Sequence, residues 1–277
     1  MKITKPSVLK LAVAGLALAL AGATAQAQDI NVGVVLATSG AGSAVGVPTR
    51  NAVALWPTEI GGRKVNLVVL DDRSDPAAGT SIARRLVTED KVDVIVGGSL
   101  TPGSLSIAAV ANEAEVPHLT LSPTVLNDKI TAWTFNLPPT TNLMASAVFE
   151  HVAKAGPKSI GYIGFSDVWG DQWLGELKAY AAKSGTKITA EERFGRADTS
   201  VSGQVLRLIS SKPDAILVGG TSSAAGLVHK TLIDNGFLTA LAATKIEPGF
   251  FDSPAAVASP PAAWRVPQAW LNEPRGI

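Results

Sequence analysis

Hydrophobic and polar residues alternate along this chain in two registers. Short, near-continuous runs of Val, Ile and Leu are separated by longer stretches whose apolar residues recur at helical spacing. Residues 30–36, 65–70, 92–96 and 117–121 read as strands, and helices are predicted over 45–56, 77–88 and 102–113. Strands this continuously apolar are buried on both faces, which calls for a parallel sheet between layers of helices. The stretch 133–140 carries Pro138 and Pro139 and reads as a crossing to a second run of the same kind. That run predicts helices over 142–154, 169–184, 201–210 and 224–235, with strands at 160–165, 187–191 and 215–218. It stops at Asn235-Gly236, where both residues tolerate the left-handed cap conformation. The expected fold is α/β: two lobes, each a parallel sheet flanked by helices, with a ligand cleft between them. The lobes are expected at 28–138 and 139–237, the second incomplete.

The two ends differ from this pattern. Lys2, Lys5 and Lys10 precede an apolar run over 11–25, which leads to the small-x-small triplet Ala25-Gln26-Ala27. The run is shorter than the roughly 20 residues of a bilayer span, so residues 1–27 read as a signal peptide cleaved after Ala27, which marks the chain for export. At the other end, Pro248, Pro254, Pro260, Pro261, Pro267 and Pro274 punctuate residues 238–277. No long helix or central strand is expected there. This Pro-rich tail reads as a truncation or an altered reading frame.

Composition narrows the function. The chain has no cysteine, so an exported protein of this kind rests on its packed core rather than on disulfides. A net charge of +1 gives no reason to expect nucleic acid as a partner. His118, His151 and His229 are isolated in sequence, which argues against a transition-metal site or a Cys-His enzyme. There is no G-x-S-x-G elbow. The segment from Gly40 to Gly46, with Asp71 ending the next strand, imitates a dinucleotide fingerprint, but its glycine spacing departs from the standard one. No catalytic residue, metal or cofactor is expected.

The sharpest local signal is Gly97-Gly98-Ser99-Leu100-Thr101-Pro102-Gly103-Ser104, which follows a strand and opens a helix. Thr101 is expected to be the N-cap and Pro102 the first helical residue. Unpaired N–H groups and the positive end of the helix dipole make such a start a place for a carboxylate. Ser39, Gly40, Gly42 and Ser43, followed by Val45, form a second small-residue turn between strand and helix, where backbone can approach a ligand closely. Asp71, Asp72 and Asp75 are expected to serve as turn and cap residues rather than as a metal cluster.

These segments in their order resemble periplasmic binding proteins of the leucine/isoleucine/valine type, over residues 29–237. The likeness lies in Val32-Gly33-Val34-Val35-Leu36 leading to Thr38-Ser39-Gly40, in Val69-Leu70-Asp71-Asp72, and in Val94-Ile95-Val96-Gly97-Gly98. It continues in Val116-Pro117 followed by Ser122-Pro123-Thr124, and in Gly161-Tyr162-Ile163 before Trp169-Gly170-Asp171. The resemblance implies the type I binding fold and the capture of an amino acid, an amide or a small organic acid. It also implies a periplasmic location and delivery to an ABC-transporter permease by a monomeric binding protein. It implies that the hydroxyl of Thr101 holds the ligand carboxylate together with Ser99 and the loop Ser122, Pro123, Thr124. By the same resemblance Trp169 covers the ligand, and Thr221 and Ser222 contribute from the second lobe. Two alternatives stay open: a ligand-sensing domain for a membrane receptor, and a dinucleotide-binding oxidoreductase.

Overall fold

A computed structural model describes residues 28–126, 130 and 132–237. The expected leader and the Pro-rich tail lie outside the described residues. The described residues group into two compact units. The first runs up to Lys154 and takes in Asp167–Glu176; the second comprises Ala155–Ser166 and continues from Leu177. The division therefore falls one helix later than the expected 138/139 boundary.

In the first unit the chain forms β1 (Ile30–Leu36), a one-turn 3-10 helix (Gly40–Gly42), α1 (Ser43–Val53), β2 (Glu59–Ile60) and β3 (Arg63–Asp71). It continues with α2 (Pro76–Thr88), β4 (Val94–Gly97), α3 (Thr101–Glu113), β5 (His118–Thr120), β6 (Thr134–Asn136) and α4 (Thr141–Ala155). The strand order is β2-β3-β1-β4-β5-β6. Every pairing is parallel except that of the short β2 with β3. The parallel sheet predicted from the apolar runs is the one observed. Its centre is β1, where Val34, Val35 and Leu36 are fully buried.

Alternation along β1 feeds two cores. Val35 points to one face and packs with Leu86, Ile95 and Ile107; Val32, Val34 and Leu36 point to the other and pack with Val53 and Val96. Each such side chain contributes about 1.5–3 kcal/mol of burial, which is why a strand covered on both sides must be apolar at every position.

Two features depart from the sequence reading. Residues 134–136, expected within the crossing, form β6, an edge strand paired with β5. At α3 the helix already includes Thr101, and the capping position is Leu100, in extended conformation with no side-chain cap bond. Thr101 is therefore not the cap. Asp75 does cap α2, its carboxylate accepting from the Ala77 N–H at 2.9 Å.

The second unit contains β7 (Ser159–Phe165), β8 (Lys187–Phe194), α6 (Ser202–Ser210), β9 (Ala215–Gly219) and α7 (Ser222–Asp234). The helix α5 (Val168–Ser184) begins in the first unit and ends in this one. The sheet order is β8-β7-β9, again parallel, with β7 central. Ile160, Tyr162, Ile163 and Phe165 of β7 are buried, as are Val205 and Leu208 of α6, and Leu208 lies against Gly161 of β7. The Tyr162 ring lies against two glycines: a Cβ added to Gly164 or Gly219 would come within 1.9 and 2.2 Å of its hydroxyl, respectively. Gly164 and Gly219 are register partners on adjacent strands, so together they form the seat of that ring. Among the described residues no helix is long and apolar enough to cross a membrane.

Candidate functional site

In a doubly wound sheet the connections leaving the central strand run to opposite sides, which opens a crevice at the carboxyl ends where the order reverses. Here the reversal lies between β1 and β4, since β1 is flanked by β3 on one side and β4 on the other. The segments after Leu36 and after Gly97 leave the sheet at that point, and they hold Ser39, Ser43, Val45, Ser99 and Thr101.

Ser99 is buried, and its hydroxyl accepts from the Ala37 N–H at 3.1 Å, joining the end of β4 to the end of β1. Thr101 is 1% exposed, and its hydroxyl donates to the Pro123 carbonyl at 2.9 Å. Its proton is committed to the neighbouring loop, which explains why it does not cap α3. Ser104 adds a second tie between the same segments, with hydroxyl oxygens 2.8 Å apart at Ser122 and a bond to the Gly98 carbonyl at 2.9 Å. The Thr124 hydroxyl turns back on the Ser122 carbonyl at 3.0 Å. Asn136, in the segment read as a crossing, holds this loop from β6: it donates to the Thr124 carbonyl at 2.7 Å and accepts from the Thr120 hydroxyl at 2.8 Å. The strand ends thus carry a buried layer of Ser, Thr and Asn whose hydroxyl protons serve mainly to bind one loop to the next.

The turn after β1 is organised by acidic groups. Asp71 accepts from the N–H groups of Thr38, Ser39 and Arg73 and from the Ser39 hydroxyl, the last at 2.6 Å. Burial alone would raise its pKa, but these donors hold it below the usual carboxylate value. Ser74 donates to the Ser39 carbonyl and accepts from the Gly42 N–H. Gly40 sits at φ 73, and a side chain there would meet the Arg73 carbonyl at 2.5 Å. Asp72 is 2% exposed and accepts from the Ser74 N–H; burial, with the charges of Asp71 and Asp75, raises its pKa. All three aspartates are engaged in turns and caps, and among the described residues no cluster of ligand side chains suits a metal ion. Ser43 and Val45 are half-buried at the start of α1, while Ser39 is exposed.

His118 is fully buried under this layer. Its Nε2 lies 3.3 Å from the Gly97 carbonyl, and burial pushes its pKa down to about 4, only partly opposed by that carbonyl.

Trp169 belongs to the first compact unit, at the start of α5. It is 9% exposed and meets Trp173 with ring centroids 6.1 Å apart. The Asp167 carboxylate accepts from the N–H groups of Trp169 and Gly170 and so fixes the helix start. Thr221 and Ser222 lie in the second unit after β9; Thr221 is half-buried at the N-cap of α7 without a side-chain cap bond, and Ser222 is exposed at φ 57. The first unit therefore gathers Ser39, Ser43, Val45, Ser99, Thr101, Ser122, Pro123 and Thr124 at adjacent strand ends.

A family model for periplasmic binding proteins matches residues 29–270. The chain belongs to that family. The match runs past residue 237, where the sequence resemblance was expected to stop. An extracellular ligand-binding receptor from Rhodopseudomonas palustris superposes with a TM-score of 0.74 at 45% identity, covering 76% of this chain and 58% of that one. An "amino acid binding protein" of Pseudomonas aeruginosa is 24% identical over 64% of this chain and 48% of its own length. A solute-binding protein of an ABC transporter from R. palustris, solved in complex with 3,4-dihydroxybenzoic acid, shares the fold at 23% identity and a TM-score of 0.69. It too is matched over 59% of its length, so the chain spans about half to three-fifths of these relatives. The family and these neighbours are solute-binding proteins.

Proposed function

We propose that this periplasmic binding protein is exported and captures a small carboxylate, an amino acid or a small organic acid, for an ABC importer. The carboxylate would sit at the carboxyl ends of β1, β4 and β5, against the start of α3 and the 122–124 loop. The observation that carries this reading is the Thr101–Pro123 bond together with the Ser104–Ser122 contact. These bonds lock two loops side by side at the switch point, beside a helix start whose first N–H groups have no intrahelical partner. Preorganised donors of this kind suit an anionic oxygen. Thr101 then acts less as a donor than as the peg that fixes the two loops. Trp169, in the same compact unit, is assigned to contact with the rest of the solute. An amino acid and a dihydroxybenzoic acid share a carboxylate, which fits the relatives' range.

Thermal-shift titration tests this with aliphatic amino acids, aromatic acids and nucleotides. The expected outcome is a melting temperature that climbs with the concentration of an acid from the first two groups. Stabilisation by a nucleotide alone would replace this reading with the dinucleotide one.

A further inference from the structure

Two polar atoms at the start of α5 are buried without a partner among the described residues: the indole Nε1 of Trp169 and the amide Nε2 of Gln172. Side chains three apart share one face of a helix, so the two donors are neighbours. Neither is loosely held. The Asp167 cap fixes the backbone of the turn, and the ring of Trp173 packs against that of Trp169. The Thr141 hydroxyl, at the first residue of α4, donates to the other end of the Gln172 amide at 2.7 Å. A buried donor left dry is costly, and native proteins rarely keep one without a reason. Two within a single turn call for one explanation. The residues concerned, Thr141, Trp169 and Gln172, belong to the same compact unit as the hydroxyl layer at the strand ends. Thr141 follows by a short connection from β6, whose Asn136 holds the 124 loop.

We infer that Trp169 Nε1 and Gln172 Nε2 donate to a second oxygen of the bound solute, distinct from its carboxylate, and that Gln172 makes the protein prefer acids bearing such an oxygen. A ring hydroxyl or a side-chain carbonyl would satisfy both donors, whereas a wholly apolar tail would leave them buried and unpaired. Discrimination of this sort is steep because the penalty falls on the protein's own desolvated groups. The inference rests on the carboxylate-binding reading and adds the class of the solute's other end.

The test uses the full chain and two matched pairs, 4-hydroxybenzoate against benzoate and glutamine against leucine, titrated by calorimetry. In at least one pair the oxygen-bearing member should bind the wild-type chain tenfold or more tighter. Gln172→Leu should collapse that preference to within about threefold by weakening the better ligand. Gln172→Glu keeps the acceptor for Thr141 while removing the donor, so it should weaken the oxygen-bearing ligand at least as much; it carries the test should Gln172→Leu fail to fold. A preference that survives either folded variant, or a wild-type chain that binds both members of every pair equally, overturns the inference and leaves the carboxylate reading standing. A wild-type chain that binds none of the four acids overturns both.

Discussion

β3-β1-β4 in the first unit and β8-β7-β9 in the second repeat one arrangement, a central parallel strand flanked by the next two parallel strands. The carboxyl ends of the two sheets are nonetheless finished differently. In the first, hydroxyls and an amide stitch loop to loop: Ser99 to Ala37, Thr101 to Pro123, Asn136 to Thr124. In the second, a tyrosine ring fills the space between Gly164 and Gly219, with the Arg193 guanidinium 5.4 Å over it, and Phe165 packs on Phe194. The difference is one of chemistry on a common frame. A hydrogen-bonded rim presents polar backbone and can be remodelled by a ligand of matching polarity. An aromatic rim gains its rigidity from close packing and offers fewer polar groups.

Filling the aromatic seat should have the largest effect. Gly164→Ala sets a methyl within 1.9 Å of the Tyr162 hydroxyl and 2.4 Å of the ring carbon bearing it. Overpacking against a ring with no room to move should cost at least about 3 kcal/mol, read from urea unfolding. A loss under about 0.5 kcal/mol would mean that the ring is not seated as described.

The buried histidine under the polar rim comes next. His118 has its pKa lowered from 6.5 to about 4 in the fold, so the unfolded chain takes up a proton first as pH falls. The contribution is complete above pH 6.5 and declines as pH drops towards 4, by about 3 kcal/mol in all. Asp72 pulls the other way, because a raised carboxyl pKa in the fold weakens stability as pH rises. Comparing the wild-type chain with His118→Gln therefore isolates the histidine: the variant should show a flatter stability profile across that window. Parallel profiles would dismiss the assignment.

Asn136→Ala removes two hydrogen bonds from the first rim and leaves the Thr124 carbonyl without its donor. A cost of about 2 kcal/mol is expected, with faster amide exchange in the 120–124 loop. Unchanged exchange there would show that the loop is held by other means. The smallest effect concerns affinity. Thr101→Ala should weaken carboxylate binding by about 1–2 kcal/mol through loss of the Pro123 tie, while Thr101→Ser stays near wild type. Equal losses from the two substitutions would mean that the hydroxyl is not what matters.

The legible parts of this fold are those governed by local pattern. β1 and β7 stood out because a strand covered on both faces must be apolar at nearly every position, and Asp75 before Pro76 carries a cap signal within three residues. β6 was hidden because it is three residues long and abuts Leu137-Pro138-Pro139, so no period develops; only its pairing with β5 makes it a strand. Thr101 reads as a cap because Thr-Pro is a helix-start signal. What moves it inside the helix is the Pro123 carbonyl, 22 residues away in sequence. The family resemblance groups Ser99, Ser122 and Thr124 but says nothing of their hydrogen-bond partners, since hydroxyl bonding between loops leaves no periodic trace. Gln172 carries no signal at all: a glutamine in a helix reads as a solvent-facing residue until the burial of its amide nitrogen is seen.

The seat of Tyr162 also constrains the order in which this chain can change. Neither Gly164 nor Gly219 can acquire a side chain while the ring is present, and trimming tyrosine to phenylalanine does not suffice, because the ring carbon itself would lie 2.4 and 2.8 Å from the added methyls. A lineage leaving this arrangement must first lose the ring and pass through a loosely packed intermediate; one entering it must acquire both glycines before the aromatic. The three positions are thus expected to be inherited together, as a ratchet that admits little single-step drift.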